Sequence, residues 1–230
     1  WSSDVCSSDL GDYAPLAFHN KAGELVGYDV DMAKDLGKRL GLKVSFVPTS
    51  WPTLSADLKA DKFDIAMGGV TETAARAKEF ALSQPVVPNG KIALANCAAA
   101  PALGSLEKID QPNVKVVVNP GGTNQSFVDE HLKQAQIIRV KNNVDNLEAL
   151  RQKTADMMVT DLIEGVYYQS NEPGVFCVAN EQPFPGTASF KVYMMNKDNP
   201  QLLEKVNQWL DSQDKNVLKQ KWRIHDQVNP

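Results

Sequence analysis

From Gly11 onward, short apolar runs suited to strands alternate with stretches whose apolar residues recur at helical spacing. This alternation limits the fold more than any other feature, because strands interleaved with helices argue an α/β architecture with largely parallel sheets. Between 28 and 40, Val30, Met32, Ala33, Leu36 and Leu40 fall at roughly helical spacing, and Gly41 is a natural stop. Residues 43–47 alternate as a strand, 52–59 read as a helix, and 63–67 form a short buried-type strand ending in Gly68-Gly69; a helix over 73–78 follows. Further strands are expected at 91–95, 114–118, 136–140, 156–159, 175–178 and 190–195. Helices are expected at 125–133, 144–153, 162–169, 201–212 and 217–222.

With 230 residues the chain is long enough for two lobes or one large α/β unit. Its formal net charge of -4 and pI near 5.4 argue against a nucleic-acid partner, whose phosphates demand a basic face. No apolar run approaches the roughly 20 residues that span a bilayer, so membrane insertion is not expected.

Residues 1–10 look foreign. They are what translating TGG AGT TCA GAC GTG TGC TCT TCC GAT CT gives, which resembles a common sequencing-adapter oligonucleotide, and are set aside as one would a cloning scar; the alternative is a genuine Ser-rich N-terminal linker. The expectation is then that the natural protein begins upstream of Gly11 and that any signal peptide was lost with that segment. Cys6 lies in the foreign stretch, leaving Cys97 and Cys177, which suit either one disulfide or two unrelated buried thiols.

Past the middle, the apolar run Met157-Met158-Val159 leads into Thr160-Asp161, with a second carboxylate at Glu164. If Asp161 opens a helix, Glu164 lies about one turn further on the same side, so that both acids face whatever occupies the mouth of the strand. A receptor for amino acids has a use for the first acid, which pairs with an ammonium group. An enzyme that must protonate a leaving hydroxyl has a use for the second.

Two motifs carry a family resemblance. Gly27-Tyr28-Asp29-Val30-Asp31-Met32-Ala33 resembles the helix start of the family 3 periplasmic solute-binding proteins, the polar amino-acid receptors of ABC transporters. Phe63-Asp64-Ile65-Ala66-Met67-Gly68-Gly69-Val70-Thr71, followed by Arg76-Ala77-Lys78, resembles their carboxylate-binding segment. Within that superfamily the chain is most similar to the periplasmic cyclohexadienyl dehydratases. That likeness rests on Gly11-Asp12-Tyr13, Pro48-Thr49-Ser50-Trp51-Pro52, Ile109-Asp110-Gln111-Pro112 and Val118-Asn119-Pro120-Gly121-Gly122-Thr123-Asn124. Residues 157–164 and Glu181-Gln182-Pro183-Phe184 add to it.

The resemblance implies a two-lobed, periplasmic-binding-protein-like (type II) fold with two crossover strands. Lobe 1 would hold 11–88 plus 191–230, and lobe 2 would hold 89–190. It implies a periplasmic location and favours a Cys97–Cys177 bridge. The family's first strand precedes Gly11, where residues 1–10 now stand, so lobe 1 is expected to be weakened, with Val5 and Leu10 as partial substitutes.

The resemblance also assigns roles. Arg76 would clamp a carboxylate with its planar fork, beside Thr71 and a backbone N–H near Gly69; a solvated helix Arg is the rival reading. The loop of Gly121, Gly122, Thr123 and Asn124 would present backbone N–H groups to an anion, or serve as a plain turn whose Thr123 or Asn124 caps the next helix. Trp51 and Tyr13 would wall a six-membered ring or pack in the core. Lys91 would balance a second negative charge on the ligand or lie on the hinge surface, and Asp161 would pair with an α-ammonium or cap its helix.

Glu164 is the expected general acid, donating to the departing oxygen in a desolvated cleft; the rival is an ordinary surface Glu. No cofactor is implied, and no metal-binding pattern, phosphate loop, nucleophilic triad or Cys-x-x-Cys is evident. The expected reaction is decarboxylating dehydration of prephenate to phenylpyruvate, and of arogenate to phenylalanine. The alternative is a non-catalytic amino-acid receptor serving an ABC permease.

Overall fold

A computed structural model describes residues 4–225. The chain first forms β1 (Asp4–Asp9), α1 (Tyr28–Leu40), β2 (Lys43–Pro48), β3 (Ile65–Ala66), α2 (Ala74–Glu79) and β4 (Ala81–Leu82). It continues through β5 (Lys91–Asn96), β6 (Lys115–Val118), α3 (Thr123–His131), β7 (Gln136–Arg139), α4 (Asn143–Arg151), β8 (Met157–Asp161), α5 (Leu162–Asn171) and β9 (Phe176–Val178). The returning segment supplies β10 (Met194–Met195) and α6 (Pro200–Ser212). Two compact units result: one takes residues up to Pro88 together with Ser189–Ile224, the other Asn89–Ala188.

The first unit's sheet has the order β2-β1-β3-β10-β4. β1 runs parallel to β2 and β3, and the returning β10 is antiparallel to β3 and β4. Helix α1 has the predicted limits for identifiable reasons. Its apolar face buries Val30, Met32, Ala33 and Leu36, each such burial worth about 1.5–3 kcal/mol for the larger side chains. Asp29 and Asp31 sit in its first turn and Lys38 and Arg39 in its last, matching the helix dipole. Gly41 ends it in the left-handed region at φ 68°, where its N–H reaches Gly37 O and Lys38 O. In α6, Asn199 caps the Leu202 N–H, Pro200 stands in the first turn, and Leu202, Val206, Trp209 and Leu210 are buried.

The residues read as foreign form β1, in the interior of this sheet. All six pair with β2, from Asp4 against Lys43 to Asp9 against Pro48, and Ser7 also faces Ile65 of β3. Val5, Ser7 and Ser8 are buried. Ser8 Oγ donates to Met67 O and accepts from Met67 N–H, both at 3.0 Å. An inner parallel strand normally carries apolar residues on both faces, and the two serines leave that packing thin.

The second unit's sheet has the order β7-β6-β8-β5-β9. β7, β6 and β8 are parallel, whereas β5 runs antiparallel to both β8 and β9. The expectation of largely parallel sheets therefore holds for only part of each sheet. Side chains alternate between two cores: Val116, Val118, Met157 and Val159 pack with Phe127 and Val128 of α3. Val117 and Met158 pack on the other side with Leu147 and Leu150 of α4. Cys97 and Cys177 form a disulfide with Cα atoms 4.9 Å apart.

Sequence periodicity misses the three-stranded ladder of Asp12–Tyr13, Ala17–His19 and Leu25–Val26, whose strands are too short to show a pattern. The single strand predicted at 190–195 is two pieces, Ser189–Lys191 and β10. Between them the Val192 N–H turns to Val70 O and the Tyr193 N–H to Ser83 Oγ. The predicted helix at 52–59 begins only at Leu54, after a turn closed by the Thr53 N–H on Ser50 O.

Candidate active site

In the first unit the candidate carboxylate cradle is built on a buried cation. Lys191 Nζ donates to Gly69 O and Thr71 Oγ1, each at 2.8 Å, and lies 5.0 Å from the centroid of the Tyr13 ring. Thr71 and Lys191 also face each other across an antiparallel bridge. Gly69 is required here: at φ 98° a Cβ would stand 2.9 Å from Tyr13 Cδ1. Tyr13 is buried, and its ring meets Trp51 edge-on with centroids 6.1 Å apart; the half-buried Trp51 also packs on the local core. Arg76 is half-buried. Its N–H is capped by Thr73 Oγ1, and its Nη1 donates to Thr71 O at 2.7 Å, fixing the guanidinium beside Thr71.

Behind Lys191 lies a buried acid. Tyr193 Oη donates to Asp29 Oδ1 at 2.6 Å. Burial pushes the Asp29 carboxyl up to about 6, against the opposing effects of Tyr193, Lys191 and the backbone N–H groups of Gly69 and Gly68. The native state thus holds this proton where the unfolded chain releases it near 3.8. Its stabilising contribution is complete below that value and is lost as pH rises through about 6. Asp29→Asn should cancel this loss: urea unfolding from about pH 4 to about pH 7 should show wild type losing about 2 kcal/mol relative to the variant. Parallel pH curves for the two proteins would show that Asp29 does not retain the proton.

In the second unit, Gly121 adopts φ 100° and gives its N–H to Gln125 Oε1 at 2.7 Å. Gly122 occupies the cap position of α3 without a side-chain bond. Thr123 and Asn124 are therefore not the caps of that helix. Their side chains point to Lys91, whose Nζ donates to Thr123 Oγ1 at 2.6 Å, Asn124 Oδ1 at 2.7 Å and Asp161 Oδ1 at 2.8 Å. Asn89 Nδ2 donates to the same Asp161 oxygen at 2.8 Å, while Asn89 Oδ1 is buried with no partner among the described residues. Asp161 stands at the cap position of α5 but makes no capping bond. Lys91 is buried, which removes the hinge-surface reading.

Glu164 is 0% exposed, so the surface reading fails for it too. Asn143 Nδ2 donates to its Oε2 and Thr160 Oγ1 to its Oε1, both at 2.6 Å. Asn146 supports the first donor, giving its Nδ2 to Asn119 Oδ1 at 2.6 Å and Asn143 Oδ1 at 3.3 Å; its own Oδ1 is buried and has no partner among the described residues. Burial, and next the Glu164 charge, hold the Tyr168 phenol well above its usual range. The two acids part company because side chains alternate along β8. Asp161 follows Met157 and Val159 toward α3, whereas Thr160, with Glu164 bonded to it, follows Met158 toward α4. The two acids thus meet different neighbours, Lys91 and Asn89 for Asp161, Asn143 and Thr160 for Glu164.

An amide Nδ2 only donates, so Oε2 accepts from Asn143; the Thr160 hydroxyl can donate or accept, so its contact with Oε1 is compatible with either protonation state of Glu164. The sequence reading missed Lys191, Asp29, Tyr193, Asn143, Thr160 and Asn89. For Lys191 a signal existed: it is the one charge in the apolar run Phe190-Lys191-Val192-Tyr193-Met194-Met195.

The profile of the bacterial extracellular solute-binding proteins, family 3, matches residues 8–224, and the chain belongs to that family. It is 38% identical over 200 residues to a cyclohexadienyl dehydratase of Pseudomonas aeruginosa, covering 87% of this chain and 74% of that protein. Among solved structures it superimposes with TM-score 0.87 on an ancestral amino acid-binding protein described as a precursor of cyclohexadienyl dehydratase. That protein is 33% identical, with 96% of this chain and 95% of that one covered. An ancestral cyclohexadienyl dehydratase is 44% identical over 96% of this chain and 92% of its own, with TM-score 0.57. The architecture is thus the two-lobed type II binding-protein fold.

Proposed function

We propose that the chain is a cyclohexadienyl dehydratase, a carbon–oxygen lyase that converts prephenate to phenylpyruvate with loss of water and carbon dioxide. The observation that carries this reading is Glu164, a carboxyl with no exposed surface, oriented by Asn143 and Thr160. Support comes from the Pseudomonas aeruginosa relative, named a cyclohexadienyl dehydratase.

In this reading Arg76 and Thr71 of the first unit serve to bind a carboxylate, with Tyr13 and Trp51 beside them as ring-packing groups; within the second unit, the loop from Gly121 through Gly122 and Thr123 to Asn124 serves to bind an anion. Glu164 gives its proton to the ring hydroxyl as the C–O bond breaks. The ring carboxylate departs as carbon dioxide, and the electron pair of that C–C bond completes the aromatic ring. Water leaves, and Glu164 takes a proton back from solvent. General acid catalysis of this kind contributes about 100- to 10,000-fold, and orientation with fixed charge supplies the rest. Among the described residues no helix is long and apolar enough to cross a membrane. The family's extracellular character accords with action in the periplasm.

Incubation of the folded protein with prephenate should release phenylpyruvate. No turnover, together with thermal stabilisation by a free amino acid, would instead give the receptor reading.

A further inference from the structure

We infer that Asp29 is a positioning residue for the candidate carboxylate cradle of the first unit. It holds the Gly68-Gly69 turn from behind, and its charge sets how strongly a carboxylate is bound there. The inference goes beyond the dehydratase reading, because such a cradle serves a lyase and a receptor alike.

Gly68 and Gly69 adopt φ of 124° and 98°, so the backbone has little conformational preference of its own at this point. The turn is fixed from outside. Asp29, in the first turn of α1 and only 3% exposed, accepts the N–H groups of both glycines. Lys191 holds the other end of Gly69, donating from Nζ to Gly69 O and to Thr71 Oγ1 at 2.8 Å each. Gly69 is thus clamped through its N–H by an acid and through its C=O by an ammonium. Thr71, two residues on, takes its place from that clamp. Tyr193 Oη completes the set by donating to Asp29 Oδ1 at 2.6 Å, and its ring stacks on Trp209 of α6 with centroids 6.2 Å apart.

Charge follows the same route. The titratable and charged groups that face Asp29 are Lys191, the Tyr193 phenol and, on α1 itself, the Tyr28 phenol. Burial holds both phenols above their usual range, so neither ionises near neutral pH. Asp29 is therefore the acid whose charge changes as pH rises through about 6. While it keeps its proton, the Lys191 charge remains available to a bound carboxylate. Once ionised, it offsets Lys191 and repels the ligand through a poorly screened interior. By linkage, a bound carboxylate favours the protonated form of Asp29 to the same degree. Affinity is then full below about 6 and falls as pH rises through that value.

The test is calorimetric titration of the whole chain with phenylpyruvate from about pH 5 to about pH 8, where the ligand's own carboxylate stays ionised. Wild-type affinity should fall about 10-fold across that range, an ordinary coupling between two sites. Binding at about pH 6.5 should take up part of a proton, seen as an enthalpy that depends on the buffer's heat of ionisation. Asp29→Asn keeps an acceptor for the glycine N–H groups, and its Nδ2 can donate to Tyr193 Oη. It should retain the low-pH affinity throughout, binding about 10-fold more tightly than wild type at about pH 8 with no proton uptake. Asp29→Ala offers no acceptor and should bind more weakly than Asp29→Asn at every pH. If Asp29→Asn does not fold, Tyr193→Phe removes a donor that favours the ionised acid, so the fall in affinity should move to higher pH. In prephenate turnover, the ratio of Asp29→Asn to wild type should change with pH in KM and stay level in kcat. Wild-type affinity that does not vary with pH would overturn the proposal, as would parallel curves for wild type and Asp29→Asn, or equal binding by the Asn and Ala variants. If prephenate is not turned over, the dehydratase reading fails, and the same titrations with L-arginine decide the role of Asp29. Failure of both ligands to bind at millimolar concentration would also overturn it.

Discussion

Glu164→Gln is expected to reduce prephenate turnover by about 100- to 10,000-fold, the usual worth of a general acid. The substitution suits the question because the cavity accepts it. A glutamine Oε1 can take the Asn143 Nδ2 hydrogen bond, and its Nε2 can donate to Thr160 Oγ1 in place of the bond that now runs the other way. Volume is conserved, so the variant should fold and its thermal unfolding should stay near that of the parent. What it lacks is the proton. The loss should therefore appear in kcat, with KM little changed, since an acid used only as the bond breaks contributes to the transition state alone. Turnover at the parental rate in a folded Glu164→Gln protein would remove Glu164 from the chemistry.

Breaking the Cys97–Cys177 bridge should have the largest effect on stability. The two cysteines are 80 residues apart in sequence, and a loop of that length gives about 4 kcal/mol on the chain-entropy account. At this size each kcal/mol moves the midpoint by about 2–4 °C, so Cys97→Ala with Cys177→Ala should unfold about 8–16 °C lower. The closed loop contains β6, β7, β8, α3, α4 and α5, and hence Asp161 and Glu164, so activity should vanish at the same lowered temperature. Thiol titration of the denatured, unreduced chain should find Cys6 alone. Unfolding that is unmoved by reductant would show that the bridge adds nothing.

Much of the fold was legible because local rules and packing agree. The Val30, Met32, Ala33 and Leu36 face with Gly41 behind it marks α1, and Gly121-Gly122 marks the turn into α3. Individual candidate residues such as Thr71, Asp161 and Glu164 were singled out through motifs. Their partners were not. Lys91 meets Asp161 across 70 residues and Asn143 meets Glu164 across 21, contacts fixed by strand order and helix docking, which no local pattern encodes. Asn142 and Asn143 illustrate the difference. The first caps α4 through the Asp145 N–H, a local role; the second turns away to bind Glu164, and nothing in the dipeptide distinguishes them. The partners of Glu164 were out of reach for the same reason, since a helical spacing fixes position along α5 but not which neighbouring helix the carboxyl meets.

The route of the chain has a consequence for how the molecule is made. Asn89–Ala188 is continuous, and its sheet is complete once β9 has been synthesised. The other sheet waits for β10, which slots between β3 and β4 from the far end of the sequence. On the ribosome, the half that bears the proposed proton donor can therefore mature while the early strands are still held open. A nascent chain arrested shortly after residue 188 has cleared the exit tunnel should already protect Glu164's half from protease, yet leave β1 and β2 open to it.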